Sequence, residues 1–292
     1  MRVLLTGGSG FIGRNILESS LADEHHIMAP THSELDCSDE KSVDNFFRSN
    51  QVDIIIHSAG KPGHRNSRDS SNLFYANTRM FHLLARHAPD CEKFIVLGSG
   101  AIYDMRDYRP LMREDEWRER VPADEHGFAK YVCGHAIEAS TNMYDLRVFG
   151  IFGPYEDYAI RFISNMICKA LFDLPLTMKQ NRIFSYLYVA DLILILSIIM
   201  RSQPNHHSYN ITPDERWDLR SLANLVLEVS GKSLPVVIAS EGWGSEYSGS
   251  NERLSKEFSP RFTPMTEAVE TLWKWYSRRS DSIDRGSLLL DR

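Results

Sequence analysis

Val3-Leu4-Leu5-Thr6-Gly7-Gly8-Ser9-Gly10-Phe11-Ile12-Gly13 is the stretch on which the reading of the chain turns. Three consecutive apolar residues make a short buried strand, and a glycine-rich turn follows at once. Gly7, Gly10 and Gly13 are spaced G-x-x-G-x-x-G, and Phe11 and Ile12 open a helical pattern. The first glycine permits a tight turn, the middle one lets backbone N–H groups approach a pyrophosphate, and the last lets helix pack closely on strand. The helix N-terminus then offers positive potential to the anion. Strand, turn and helix in this order predict a dinucleotide-binding unit.

The choice of dinucleotide rests on the end of the second strand, where NAD sites place an acid for the ribose 2′-hydroxyl. That region reads Ala29-Pro30-Thr31-His32-Ser33, with no acid before Glu34. Arg14 stands just beyond the glycines, and Thr31, His32 and Ser33 can donate to a 2′-phosphate. NADP therefore leads. NAD is the alternative, because Arg14 reads almost as well as a solvated surface residue.

Outward from this turn, short apolar runs alternate with helical patterns, which predicts βαβ units around a parallel sheet. A helix over Ile12–Leu21 precedes a strand near His26–Ala29 and a helix over Glu40–Arg48. Val52–Ile56, with three successive isoleucines, suits a strand covered on both faces. Helix Asn72–Ala85, strand Phe94–Leu97, helix Gly127–Ala139 and strand Asp145–Phe149 continue the series. Beyond Gly153-Pro154 the pattern loosens, with helices expected over Ala159–Leu171 and Val189–Met200, then strand Tyr209–Ile211. Helix Leu219–Val229 stops at Gly231. A short strand at Val236–Ile238 leads into a Gly/Ser-rich loop over Ser240–Asn251. Thr263 and Pro264 read as N-cap and first residue of a last helix through Tyr276. The tail from Arg278 reads as frayed.

The expected architecture is α/β: a Rossmann-type doubly wound parallel sheet with a smaller C-terminal α/β substrate subdomain. Residues 1–152 with 183–212 form the nucleotide-binding part. Residues 153–182 with 213–280 form the subdomain, and 281–292 a tail.

The chain has 292 residues, 42% hydrophobic and 25% charged, enough for a sizeable core. Lys+Arg 33 against Asp+Glu 39 gives a net charge of -6, which leaves no bulk basic field for nucleic acid or an anionic membrane. Leu192–Met200, the longest apolar run, falls far short of the roughly 20 residues of a membrane span, and the opening stretch is too short for a secretory signal. Cys37, Cys91, Cys133 and Cys168 are scattered without a C-x-x-C pair, as reduced thiols of a cytoplasmic protein would be. The adjacent pairs His25-His26 and His206-His207 do not make a metal site, and none is expected.

Further motifs make the chain resemble the extended short-chain dehydrogenase/reductases that modify nucleotide sugars, the NAD-dependent epimerase/dehydratase family. Leu35-Asp36-Cys37-Ser38-Asp39 is similar to that family's D-L-x-D segment, His57-Ser58-Ala59-Gly60 to its H-x-A-A strand end, and Asn77 to its N-x-x-x-T helix, with Phe81 at the Thr position. Leu97-Gly98-Ser99-Gly100-Ala101-Ile102-Tyr103 resembles S-S-x-x-V-Y-G. Arg147 through Pro154 resembles R-x-x-N-V-Y-G-P, and Arg182–Tyr186 with Val189-Ala190-Asp191 resembles R-x-F-x-Y-V-D-D. Within the family, Ser33-Glu34-Leu35, Asp44-Asn45-Phe46-Phe47 and Val52-Asp53 are similar to the GDP-fucose synthase branch.

The resemblance implies that Gly7, Gly10, Phe11, Ile12, Gly13, Arg14, His32, Asp36, Cys37, Ala59 and Lys130 surround the cofactor, with Asp36 and Cys37 beside the adenine. It places Ser99 at the catalytic Ser/Thr, polarising a carbonyl, and Arg182 on the substrate pyrophosphate. Lys61, His64, Arg65 and Asn66, after the third strand, are candidates to touch sugar or phosphate, or else a solvated loop. The family's acid/base tyrosine in Y-x-x-x-K becomes His126 in His126-Gly127-Phe128-Ala129-Lys130. Residues i and i+4 share a helix face, so His126 and Lys130 still form a pair. An imidazole titrates near 6.5, and Lys130 pushes it lower, so a reductase using it works best in mildly acidic solution.

Three departures narrow the reading. Ala101 stands where the GDP-fucose synthase pattern has Cys, and no His follows Gly153-Pro154, so base-driven epimerisation beside the ketone is not expected. Gly100-Ala101 lacks the acids of the dehydratase branch. Gly150 replaces the substrate-holding Asn. The leading expectation is an NADP-dependent reductase of a nucleotide-activated 4-keto-(6-deoxy) sugar. The alternatives are a nucleotide-sugar 4-epimerase holding NAD tightly, and a catalytically impaired cofactor-binding protein. Family likeness also implies a homodimer through a bundle that includes Gly127–Ala139.

Overall fold

The computed structural model describes residues 1–63, 69 and 71–289. Its central sheet is built from β1 (Arg2–Thr6), β2 (His26–Met28), β3 (Ile54–His57), β4 (Lys93–Ser99), β5 (Met143–Val148) and β10 (Ser208–Ile211), in the order β10-β5-β4-β3-β1-β2. All five pairings are parallel. Alternate residues of each strand serve opposite faces. Val3, Leu5, Ile54, Ile56, Ile95 and Leu97 join one buried cluster; Leu4, Ile55, Phe94 and Val96 join the other. Both faces are therefore dry, which explains why the strands read as continuous apolar runs.

On the first face lie α1 (Phe11–Leu17), α2 (Ser20–Glu24) and α7 (Val189–Arg201), contributing Ile16, Leu21, Leu192 and Ile195. On the second lie α3 (Glu40–Ser49), α4 (Leu73–Ala85) and α5 (Glu125–Glu138), contributing Val43, Phe81, Leu84 and Ile137. The connection after β2 crosses β1 and resumes at β3. Strand order therefore reverses between β1 and β3, and the carboxyl ends of those strands open the crevice where doubly wound sheets bind ligands.

A second apolar core lies among α6 (Phe162–Leu171), α8 (Leu219–Ser230) and α10 (Met265–Ser277). Around it run β6 (Gly150–Phe152), β7 (Leu176–Asn181), β8 (Ile183–Phe184), β9 (Tyr186–Tyr188), β11 (Trp217–Asp218) and β12 (Val236–Trp243), paired two by two as β6–β9, β7–β12 and β8–β11. The chain returns once more to the sheet through α9 (Glu252–Phe258), whose Leu254 is fully buried in the first-face cluster.

Several expected boundaries move, each for a physical reason. The helix expected over Ile12–Leu21 ends at Leu17, because the Ser19 side chain accepts from the Leu21 amide and starts α2 anew. The strand expected at Val52 begins at Ile54, since the Asp53 carboxylate is engaged by Arg2, whose amide donates at 2.7 Å. The strand expected to stop at Ile238 runs to Trp243 in parallel with β7, with a register shift between Ser240 and Trp243, so the loop begins later. Thr263 does not cap α10. Its hydroxyl donates to Asp191 at 2.6 Å, and Pro264 takes the N-cap position without a side-chain bond. The tail is not frayed as far as Leu289. The short helix α11 (Arg285–Leu288) packs back, and Ile283 and Leu288 are buried in the second core.

Candidate functional site

The glycine turn is held by its backbone. Gly10 donates its amide to the Gly7 carbonyl at 3.0 Å, and Arg14 donates to the Gly10 carbonyl at 2.9 Å. Gly7 has φ +75°, and a Cβ there would stand 2.8 Å from the Ala59 amide nitrogen. A Cβ on Gly13 would overlap the Gly7 carbonyl. As N-cap, Gly10 makes no side-chain bond to the first turn of α1. Gly7, Gly10, Phe11, Ile12 and Gly13, expected beside the cofactor, form this turn and the start of α1.

β3 is tied to β1 across the crevice. The Thr6 hydroxyl accepts from the Ala59 amide at 3.2 Å and lies 2.8 Å from His57 Nδ1. Burial, helped by the charge of Lys130, pushes His57 down to about 3, so its imidazole is neutral beside the Thr6 hydroxyl. Lys61 follows on the same loop. Its amide donates to Asn77 at 2.8 Å, and its ammonium pairs with Asp69 at 2.6 Å. His64, Arg65 and Asn66 lie outside the described residues.

The second-strand end differs from its sequence reading. Thr31 donates both its amide and its hydroxyl to Glu34, each at 2.8 Å, and its hydroxyl also lies 3.0 Å from that of Ser33. These bonds hold Glu34 below the usual carboxylate range. The donors expected to meet a 2′-phosphate are thus turned toward a carboxylate of the chain itself. His32 is exposed, 3.8 Å from Asp36. Asp36 accepts from the amide and hydroxyl of Ser38 at 2.8 and 2.7 Å, while Cys37 is buried in the second-face core and pushed up to about 11. Arg14 is exposed and lies 4.9 Å from the centre of the Tyr155 ring.

Ser99 ends β4, and its hydroxyl accepts from the Ala101 amide at 3.1 Å, capping a tight turn. Asp124 caps α5 by accepting from Gly127 at 2.8 Å, which sets His126 in the first helical turn. One turn on, Lys130 donates to the Leu97 carbonyl at 3.2 Å, against the end of β4. Desolvation first, then the charge of Lys130, lowers His126 from its ordinary 6.5. Lys130 thus stands against β4 two residues before Ser99, with His126 one helical turn ahead of it on α5. Arg182, at the joint of β7 and β8, lies over the Phe184 ring at 5.6 Å.

Other motif residues hold the walls. Arg147 is fully buried. It pairs with Asp145 at 2.9 Å and donates to the Glu114 carbonyl at 3.0 Å, while the Tyr103 hydroxyl donates to Asn210 at 2.7 Å. Gly150 stands where the likeness expects Asn because Tyr186 fills that space: a Cβ would sit 2.8 Å from its ring.

One residue was not anticipated. Tyr247 lies in the stretch read only as loop, yet its phenol oxygen stands 2.7 Å from where a Cβ on Gly100 would lie, next to Ser99 in the chain. The backbone explains this reach. Gly244 and Tyr247 donate to the carbonyls of Asn181 and Ile183, Ser185 donates to that of Tyr247, and Met112 and Ser248 are likewise joined. An aromatic pair, Trp243 and Tyr247, in a Gly/Ser-rich stretch is the sequence signal that could have found it.

A six-stranded parallel sheet reversing order at a glycine cradle defines a Rossmann-type nucleotide-binding protein. Over residues 3–212 the chain matches the NAD dependent epimerase/dehydratase family, and it belongs to that family. GDP-L-colitose synthase of Yersinia pseudotuberculosis is 31% identical over 107 residues, covering 35% of this chain and 35% of that protein. GDP-L-fucose synthase of Azorhizobium caulinodans is 27% identical over 132 residues, covering 44% and 42%. The matches to these two relatives thus span less than half of their length. Among solved structures, GDP-mannoheptose C4 reductase from Campylobacter jejuni with NADP bound superposes with a TM-score of 0.80 at 16% identity, over 94% of this chain and 98% of that one. That likeness bears on the fold.

Proposed function

We propose that the chain is a nicotinamide-dependent reductase of a nucleotide-activated 4-keto sugar, with NADP as cofactor. The observation that carries this reading is Lys130, which donates to the Leu97 carbonyl two residues before Ser99 while its charge acts on His126. Relatives named as GDP-sugar synthases and a neighbouring C4 reductase solved with NADP support the substrate class and the cofactor.

Gly7, Gly10 and Gly13 would hold the cofactor pyrophosphate, and Lys130 its nicotinamide ribose; when bound, the cofactor supplies hydride chemistry. Ser99 donates a hydrogen bond to the carbonyl oxygen as negative charge grows there. Arg182 offers a planar, two-pronged donor to the substrate pyrophosphate. His126 is the titrating group of the site and, when protonated, its source of protons. Its lowered pKa means that the imidazolium fraction falls as pH rises through a value below 6.5. Oxidation of NADPH by 4-keto-6-deoxy nucleotide sugars, followed by nicotinamide absorbance, is therefore expected to be fastest in mildly acidic solution. A flat profile, or one rising toward basic pH, contradicts this role.

Glu34 favours a second reading. A carboxylate at the second-strand end suits ribose hydroxyls better than a 2′-phosphate, and with them NAD. Epimerases occur among the solved neighbours. Protein that purifies with NAD and interconverts 4-epimers without net cofactor consumption would be an epimerase.

A further inference from the structure

We infer that Tyr247 is the residue that hands the proton to the substrate carbonyl, filling from the strap of residues 244–251 between β12 and α9 the role of the tyrosine that His126 replaces. This assignment rests on the reductase reading and refines its proton path. A Cβ on Gly100 would lie 2.7 Å from the phenol oxygen, so that oxygen sits at the end of β4, beside the residue that follows Ser99.

The strap fixes the ring from several sides. Phe149 and Tyr108 pack against it with tilted rings, centroids 5.2 and 5.1 Å away, and the Tyr247 backbone is paired with β8. Tyr103, nearest in sequence to Ser99, is already committed to Asn210 and Arg147. Tyr103, Arg161 and Asp124 are the titratable groups acting on Tyr247; Lys130, Asp124 and Arg161 act on His126. Two charges, Asp124 and Arg161, are thus common to the phenol and the imidazole. Burial holds the phenol up at about 12, so it keeps its proton through neutral pH.

The step balances simply. The carbonyl carbon takes a hydride from the reduced nicotinamide, and the C=O π pair moves onto oxygen. The Tyr247 O–H bond breaks, its proton forms the new alcohol O–H, and the phenolate keeps the electron pair. Water then restores the phenol by way of His126. The sugar is reduced and the nicotinamide oxidised.

The test compares wild type, Tyr247→Phe and His126→Phe for NADPH affinity by nucleotide fluorescence, thermal stability, and kcat and KM across pH. Tyr247→Phe is expected to keep NADPH affinity within about twofold and its melting temperature, while kcat falls about a hundredfold at every pH. His126→Phe is expected to lose the acid-side rise and retain more turnover. Unchanged kcat in Tyr247→Phe, or a change confined to KM, overturns the assignment while leaving the reductase reading intact. A folded wild type that moves no hydride in reductase or epimerase assays overturns both.

Discussion

Glu156 follows the Gly153-Pro154 turn and is almost wholly buried, its carboxyl accepting from Ser164 at 2.6 Å. Burial pushes it up to about 8 from an ordinary 4.5. In the unfolded chain it ionises near 4.5; in the folded one it keeps its proton to about 8. Its contribution to stability is present below the unfolded value and lost as pH rises toward the folded one. Wild type is therefore expected to lose about 3 kcal/mol between pH 4 and pH 7 relative to Glu156→Gln, which cannot ionise. Denaturant titrations of both proteins at the two pH values measure this difference; a pH-independent gap would contradict it. Such a carboxyl is invisible in sequence, where Tyr155-Glu156-Asp157 looks like a polar turn. Only the packing of α6 over it changes its chemistry.

At the scale of elements, the legible parts were those dictated by neighbours in the chain. The glycine turn, the three isoleucines of β3 and the helix stop at Gly231 rest on local chemistry, and Gly231 indeed adopts φ +66°. The illegible parts depend on partners far away: β12 grows because β7 offers it an edge, Thr263 is diverted by Asp191, and Tyr247 reaches the end of β4 from a loop. The turn between β1 and α1 makes the sharpest element-level prediction. Gly13→Ala would drive a methyl group into the Gly7 carbonyl, parting helix from strand. It is expected to abolish NADPH fluorescence enhancement and to destabilise the protein by about 1–3 kcal/mol, in the range of overpacked sites. Chemical denaturation and nucleotide titration read the two effects separately.

For the whole molecule, the two apolar cores are joined by repeated crossings of one chain, and the C-terminal end takes part in the second. Ile283 and Leu288 are buried there. Burying one such side chain is worth about 1.5–3 kcal/mol, less the entropy of ordering the segment. Ending the chain after Arg279 is thus expected to lower stability by about 2 kcal/mol and to leave the nucleotide cradle able to bind. Thermal melting with and without NADPH checks this, and an unchanged melting temperature would show the tail to be dispensable.

The strap also sets an order of events during synthesis. The glycine turn leaves the ribosome ahead of β3, its neighbour across the crevice, which follows within the next stretch of chain. The edge strand β10 emerges much later, and the phenol at the end of β4 later still. A nascent chain therefore acquires the means to hold a nucleotide long before it can finish the pocket around a carbonyl. The parts that would hold the nucleotide are made before the part that closes the pocket over a carbonyl.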